Sequence, residues 1–177
     1  SSKYASRLIG SIVPTVVSDA ANSIDEYQRK QVGILGGIKS RIPILREKTL
    51  LPKLDVFGNK IERNRTAIGT MFSPIRLSNE TPSVLTNEIE RLGELGEDIQ
   101  PTKVDATINK VSLDNKEHYL YQRFNGEVTQ KALIGLIGNA EYQKMDPEEQ
   151  AKVFKKITSQ VRGETKNIIL PVILIKR

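Results

Sequence analysis

Asp146-Pro147-Glu148-Glu149-Gln150-Ala151-Lys152-Val153-Phe154-Lys155-Lys156-Ile157 carries the clearest structural instruction in the chain. Asp146 offers a side-chain acceptor to the free amides of a helix start, and Pro147 suits the first helical position, where its missing N–H is not needed. Glu148 and Glu149 set negative charge against the positive end of the helix dipole. Phe154, Ile157 and Val161 then share one face, and Gly163 predicts the stop. Upstream, Asp114 and Glu117 have the spacing of a capping box. The helix they open carries Leu120, Tyr121, Phe124 and Val128, then Leu133, Leu136 and Ile137, toward a core, with Gly126 and Gly135 inside it. Asn139-Ala140-Glu141-Tyr142 joins the two helices into an antiparallel hairpin with Tyr142 packed between them. The expected fold class is mainly α, with no large sheet.

Outward from that hairpin the pattern weakens. Residues 3–12 and 14–30 read as helices broken at Pro14, with Val17, Ala21, Ile24 and Gln28 as a narrow stripe and Gly33, Gly36 and Gly37 as the end. A short helix is predicted at roughly 82–92, with Thr81 as N-cap, Pro82 at the first position and Gly93 past the end. Beyond Gly163, Asn167–Ile175 places branched apolar residues on both faces around Pro171. It reads as an edge strand or an extended peptide in a groove between subunits. Ile168, Ile169, Leu170, Val172 and Ile173 are its candidate docking residues, and its removal is expected to weaken assembly while leaving the fold intact.

Between the helical ends lies Arg41-Ile42-Pro43-Ile44-Leu45, then Leu51-Pro52-Lys53-Leu54-Asp55-Val56-Phe57-Gly58. Pro43 and Pro52 each remove a backbone donor and restrict the preceding residue, which argues against a helix or central strand. The large apolar side chains argue equally against a solvated linker. From 29 to 65 there are ten Lys/Arg against three Asp/Glu, a net +7, so the expected covering surface is acidic or polyanionic. Arg41, Arg46, Lys48, Lys53, Phe57, Lys60, Arg63 and Arg65 are the candidate contacts to a partner or to nucleic acid. The architecture expected is elongated: an N-terminal helical segment (1–37), a long extended Pro/Gly-rich basic arm (38–80), a helical region (81–166) and an apolar tail (167–177). Phe57-Gly58-Asn59 reads as a turn within the arm.

Composition narrows the chemistry. The chain starts Ser-Ser-Lys without an initiating Met and reads as a piece of something longer. With no Cys it has no disulfide framework, thiolate metal site or Cys nucleophile. Its longest apolar run, Ile168–Ile175, is far short of the roughly 20 residues of a spanning helix. Leu8–Val13 follows Lys3 and Arg7, but Pro14 and Ser18-Asp19 break the signal-peptide pattern. The single His118 has no second His for a metal site and no Ser or Asp at triad spacing, so it reads as a surface or capping residue. The carboxylates Glu88/Glu90 and Glu94/Glu97/Asp98 permit a glycosidase-like pair, whereas exposed helix positions explain Glu88 and Glu90. Gly33-Ile34-Leu35-Gly36-Gly37 lacks the Lys and Ser spacing of a phosphate loop. Basic residues along 41–65 suit sequence-independent contact with phosphates, but Phe57 alone offers stacking there. No enzymatic activity, cofactor, metal or small-molecule substrate is expected.

Taken in order, the short motifs form a longer pattern. Ile12-Val13-Pro14 is followed by Asp25 and Arg29, by Arg41-Ile42-Pro43, and by Leu51-Pro52-Lys53 with Asp55, Phe57 and Gly58. Phe72-Ser73-Pro74, Ile89 and Leu92 come next, then Leu113, Glu117-His118-Tyr119 and Gly126, and finally Glu141-Tyr142, Met145-Asp146 and Glu148. Over about 12–162 this order resembles the C-terminal region of the large internal virion, or ejection, proteins of phages and prophages, also called large polyvalent proteins. Each motif is short, and the resemblance rests on their order. It implies a non-enzymatic structural virion component that assembles near the portal and tail and takes part in genome delivery. The partners implied are portal and tail proteins and copies of itself, with double-stranded DNA as a sequence-independent contact. The location implied is the virion, then the host cell envelope after ejection. A DNA-binding module of a virion-packaged polymerase or packaging assembly is the alternative, and a peptidoglycan hydrolase fragment a more distant one. The tail after Gly163 has no counterpart in the pattern.

Overall fold

Three long helices, α1 (Ser2–Asn22), α4 (Asn115–Ile137) and α6 (Pro147–Ile175), pack against one another and enclose most of the apolar core. The computed structural model describes residues 2–30, 51–61, 77–78, 80–97, 99, 101–175 and 177. Within these residues the chain is mainly α-helical. The shorter elements are α2 (residues 24–30), α3 (Ser83–Glu94), the strands β1 (Thr107–Ile108) and β2 (Val111–Ser112), and α5 (Ala140–Gln143). The strands pair antiparallel through Asn109 and Lys110, whose φ angles of 47° and 67° fit a two-residue hairpin turn. This hairpin lies outside the elements expected from the sequence. Its anchor is Ile108, fully buried in the core.

The α4–α6 hairpin forms as the capping signals predict. Asp114 accepts from the Glu117 amide at 2.8 Å while the Glu117 carboxylate accepts from the Asp114 amide at 3.4 Å. Asp146 accepts from the Glu149 amide at 2.9 Å. The antiparallel pairing is fixed from both ends. Tyr142 is buried at the turn, Thr165 bonds Asn125 midway, and Arg177 meets Glu117 at the far end.

Gly163 does not end α6, and 167–175 is neither strand nor extended peptide. Val153, Ile157, Val161, Thr165, Ile169 and Ile173 repeat every fourth residue and all are buried, so one stripe runs through Gly163 to the C-terminus. The burial along that stripe outweighs the roughly 1 kcal/mol that an interior glycine costs a helix. Pro171 lies on the exposed side, and the carbonyl it leaves without a donor belongs to Asn167, also exposed. The boundary expected at 166 therefore falls inside one continuous helix.

Two further expectations are corrected near the N-terminus and at α3. α1 runs through Pro14 and turns only at Ser23, with Leu8, Ile9 and Val13 buried and Ile12, Val16, Val17 and Ala20 packed beside them. Ala21, assigned to the buried stripe, is exposed. Pro14 faces solvent, and the Ser11 and Thr15 hydroxyls donate to the Leu8 and Ser11 carbonyls on either side of it. At α3, Pro82 occupies the cap position with no side-chain cap, and Gly93 lies within the helix. The end is made at Gly96, where φ is 85°, with the Gly96 amide donating to Gly93 O and Glu97 to Leu92 O. That paired closure needs a left-handed residue one step beyond the cap, which Gly93 is too early to supply.

Candidate functional site

Of the candidate arm residues, Lys53, Phe57 and Lys60 are described; Arg41, Arg46, Lys48, Arg63 and Arg65 lie outside the described residues. The long extended arm itself falls mostly there too. The part that is described, 51–61, turns back on itself and docks on this chain's own α4. Leu54 bridges Lys60, and the Ile61 amide donates to Lys53 O. Phe57 is 1 % exposed, so it is a core residue here and not a partner contact. Lys53 is exposed and Lys60 half-buried.

Asp55 organises this loop. Its Oδ1 accepts from the Phe57 and Asn59 amides, each at 2.9 Å, and its Oδ2 from the Ser78 amide at 3.0 Å and the Thr81 hydroxyl at 2.6 Å. A carboxylate buried to this degree is tolerable because all these donors converge on it. Thr81, expected as the α3 cap, therefore serves a tertiary contact, and Asn59 Nδ2 donates to it at 3.0 Å. From α4, Arg123 donates to Gly58 O and Gln130 to Phe57 O, both at 2.7 Å. Gly126 lies between these two donors and lets the loop backbone touch the helix.

A second polar cluster ties α3 to the hairpin. Arg91 grips Glu88 through Nε and Nη2 at 2.9 and 2.7 Å, and Nη2 also donates to Gln150 at 2.6 Å. The Tyr142 hydroxyl donates to Glu88 Oε1 at 2.6 Å. Burial pushes the Glu88 carboxyl up, but hydrogen bonds from Arg91 and Tyr142, with the Arg91 charge, outweigh it and hold the group below its ordinary value. Burial and the Glu88 carboxylate push the Tyr142 hydroxyl the other way. Glu88 is thus buried, where sequence analysis put it on an exposed face. Three residues after Leu85 and four before Leu92, it falls with Ile89 on the apolar stripe of α3, a periodic signal that its charge overrode.

His118 is a half-buried connector: Nε2 lies 2.9 Å from Val104 O, and Gln122 donates to Nδ1 at 3.3 Å, which together fix the tautomer protonated at Nε2. Among the described residues no His, Asp and Glu groups gather to hold a metal ion, and no helix is long and apolar enough to cross a membrane.

The candidate docking residues of the tail are placed by α6. Ile169 and Ile173 are buried in this chain's own core, and Ile168, Leu170 and Val172 pack partly buried against it. Arg177 closes the end, donating to Glu117 Oε2 at 2.9 Å and to Ser112 O at 2.6 Å. Leu174 and Ile175 are the exposed apolar residues there.

One surface feature was not singled out from the sequence. A cleft of about 210 Å3 opens between α6 and Ile99, Pro101 and Thr102, with Lys155, Thr158, Ser159 and Arg162 along the helix wall. The spacing i, i+3, i+4, i+7 of these residues was available as a polar helix face. Comparison with known proteins found no family model, no curated protein and no solved structure that matches the chain.

Proposed function

We infer that this chain is a non-enzymatic structural component of a phage virion, a region of an internal or ejection protein that assembles near the portal and tail and takes part in genome delivery. The observation that carries this reading is the ordered series of short motifs from Ile12 to Glu148. Among the described residues, several of these motifs have a physical role in the fold. Asp55, Phe57 and Gly58 build the loop docked on Gly126; Glu117 caps α4; Tyr142 and Asp146 form the hairpin turn. Such residues hold a scaffold together, which is what a subunit of an assembled conduit requires. The partners proposed are portal and tail proteins and further copies of the chain.

A DNA-binding module is the second reading, favoured by the net +7 of residues 29–65. Particle composition before and after genome release, with a salt-titrated DNA-binding measurement, separates the two. Purified virions are expected to contain the chain, and emptied particles to have lost it together with the genome. A chain absent from intact particles would overturn the first reading, and a chain retained in emptied particles that binds DNA tightly, with a steep salt dependence, would replace it by the second.

A further inference from the structure

The cleft between α6 and Ile99, Pro101 and Thr102 has the composition of an anion site. Lys155 and Arg162 stand two helical turns apart on one wall, about 10 Å along the axis, with Thr158 and Ser159 between them and Thr102 opposite. Neither cation has a carboxylate partner among the described residues. The Arg162 guanidinium is held in place by donating from Nη1 to the Thr102 hydroxyl at 3.0 Å and from Nη2 to the Thr102 carbonyl, while its Nε is buried without an acceptor. The Thr158 hydroxyl donates to Phe154 O at 3.0 Å, which leaves the exposed Ser159 hydroxyl and the Lys155 ammonium as donors turned to the opening. Arg162 and Asp105 both act electrostatically on the Tyr121 hydroxyl of α4.

Size and surroundings select the ligand. The cleft is smaller than the roughly 300–1,000 Å3 of ordinary small-molecule sites, so it suits a single anionic group carried on a larger molecule. Lys155, Ser159, Arg162 and Lys166 follow one face of α6, and residues 152–166 hold five Lys/Arg against one Glu. A row of cations matches an anion that repeats along a chain, and an Arg–Lys–hydroxyl donor set is that of phosphate recognition. We propose that this cleft seats a phosphodiester group of a nucleic-acid backbone, with Lys155, Ser159 and Arg162 as the contacting residues. The inference does not depend on the virion reading, since a packaged and an unpackaged protein would use the cleft alike.

Binding of a short mixed-sequence DNA duplex to the full chain, followed by anisotropy over a salt series, tests it. Lys155→Ala is expected to weaken binding and lower the slope of log affinity against log salt by about 1. Lys144→Ala, with the same change of charge on the α5 turn, is expected to leave that slope unchanged. Ser159→Asp, at an exposed position that does not support the fold, is expected to weaken binding further. Equal effects of the Lys155 and Lys144 variants would overturn the proposal. So would Lys155-dependent binding of inorganic phosphate, of phosphatidylglycerol vesicles or of a polyglutamate peptide in the absence of duplex binding.

Discussion

Gly126 and Gly58 meet backbone to backbone: a Cβ on Gly126 would fall 2.5 Å from the Gly58 nitrogen and 2.1 Å from the Phe57 carbonyl oxygen. No side-chain rotation relieves such contacts, because the opposing atoms are main chain. Gly58 also sits at φ 73° with its own Cβ position 2.6 Å from Gln122 O. Gly126→Ala is therefore expected to destabilise the protein by roughly 2–4 kcal/mol by lifting the loop off α4. Gly135→Ala, where the same atom meets nothing within 4 Å, serves as the control. Urea unfolding of the two variants checks this, and equal midpoints would show that the loop is not held against the helix.

Asp55 gives the second prediction. Asp55→Asn keeps the shape of the side chain and one acceptor oxygen, but turns an NH2 group toward one of the two donor pairs, which is left without an acceptor. The expected cost is about 2–4 kcal/mol, since a buried donor left unpaired loses its full hydration. Amide exchange of Phe57, Asn59 and Ser78 should accelerate first. Unchanged protection of these three amides would mean that the carboxylate does not organise the loop.

The parts of this fold that were legible in the sequence are those whose cause is local. Asp114 with Glu117, and Asp146 with Pro147, stabilise helix starts through groups at most three residues apart, and both helices begin where these residues place them. Thr81 shows where that logic fails. A threonine hydroxyl serves an N-cap or a distant carboxylate equally well, and only the position of Asp55 decides between them. Gly163 and Pro171 fail for the related reason that tertiary burial of Ile169 and Ile173 overrides local propensity. The candidate site was less legible than the fold. The arm residues attracted attention by net charge, whereas Lys155, Ser159 and Arg162 are joined only by the helix that presents them.

Stability should fall on acidification through Glu88. Its carboxyl is held below the ordinary value of 4.5, so its contribution is fully present above that pH and is lost as pH falls through the lower folded value. Glu88→Gln removes the charge at every pH. The stability gap between the wild-type protein and this variant should therefore be largest near neutrality and shrink steadily below about pH 4.5. A gap that stays constant across that range would show that the Arg91–Glu88–Tyr142 cluster contributes through shape alone.

Phe154 and Ile157 lie at the centre of the α4–α6 hairpin, and both are essentially inaccessible to solvent. Phe154→Ala is expected to cost about 3–5 kcal/mol through lost burial and the cavity left behind. Thermal melting detects a change of that size readily. A variant that melts with the wild-type protein would place the hydrophobic core elsewhere.

The end of α6 reverses the outcome expected for an independent tail. Truncation before Ile168 would remove Ile169 and Ile173, which are 1 % and 2 % exposed, and would also break the Arg177–Glu117 pair that closes the helix onto the start of α4. Each buried isoleucine truncated to alanine is expected to cost about 2–5 kcal/mol. The ion pair, on the surface, contributes at most about 1 kcal/mol. Loss of 168–177 should therefore lower the melting temperature of the isolated chain sharply, before any question of assembly arises. Leu174→Ser and Ile175→Ser, at exposed positions, should leave the melt unchanged. A truncated chain as stable as the full one would return this segment to the role of a free docking peptide.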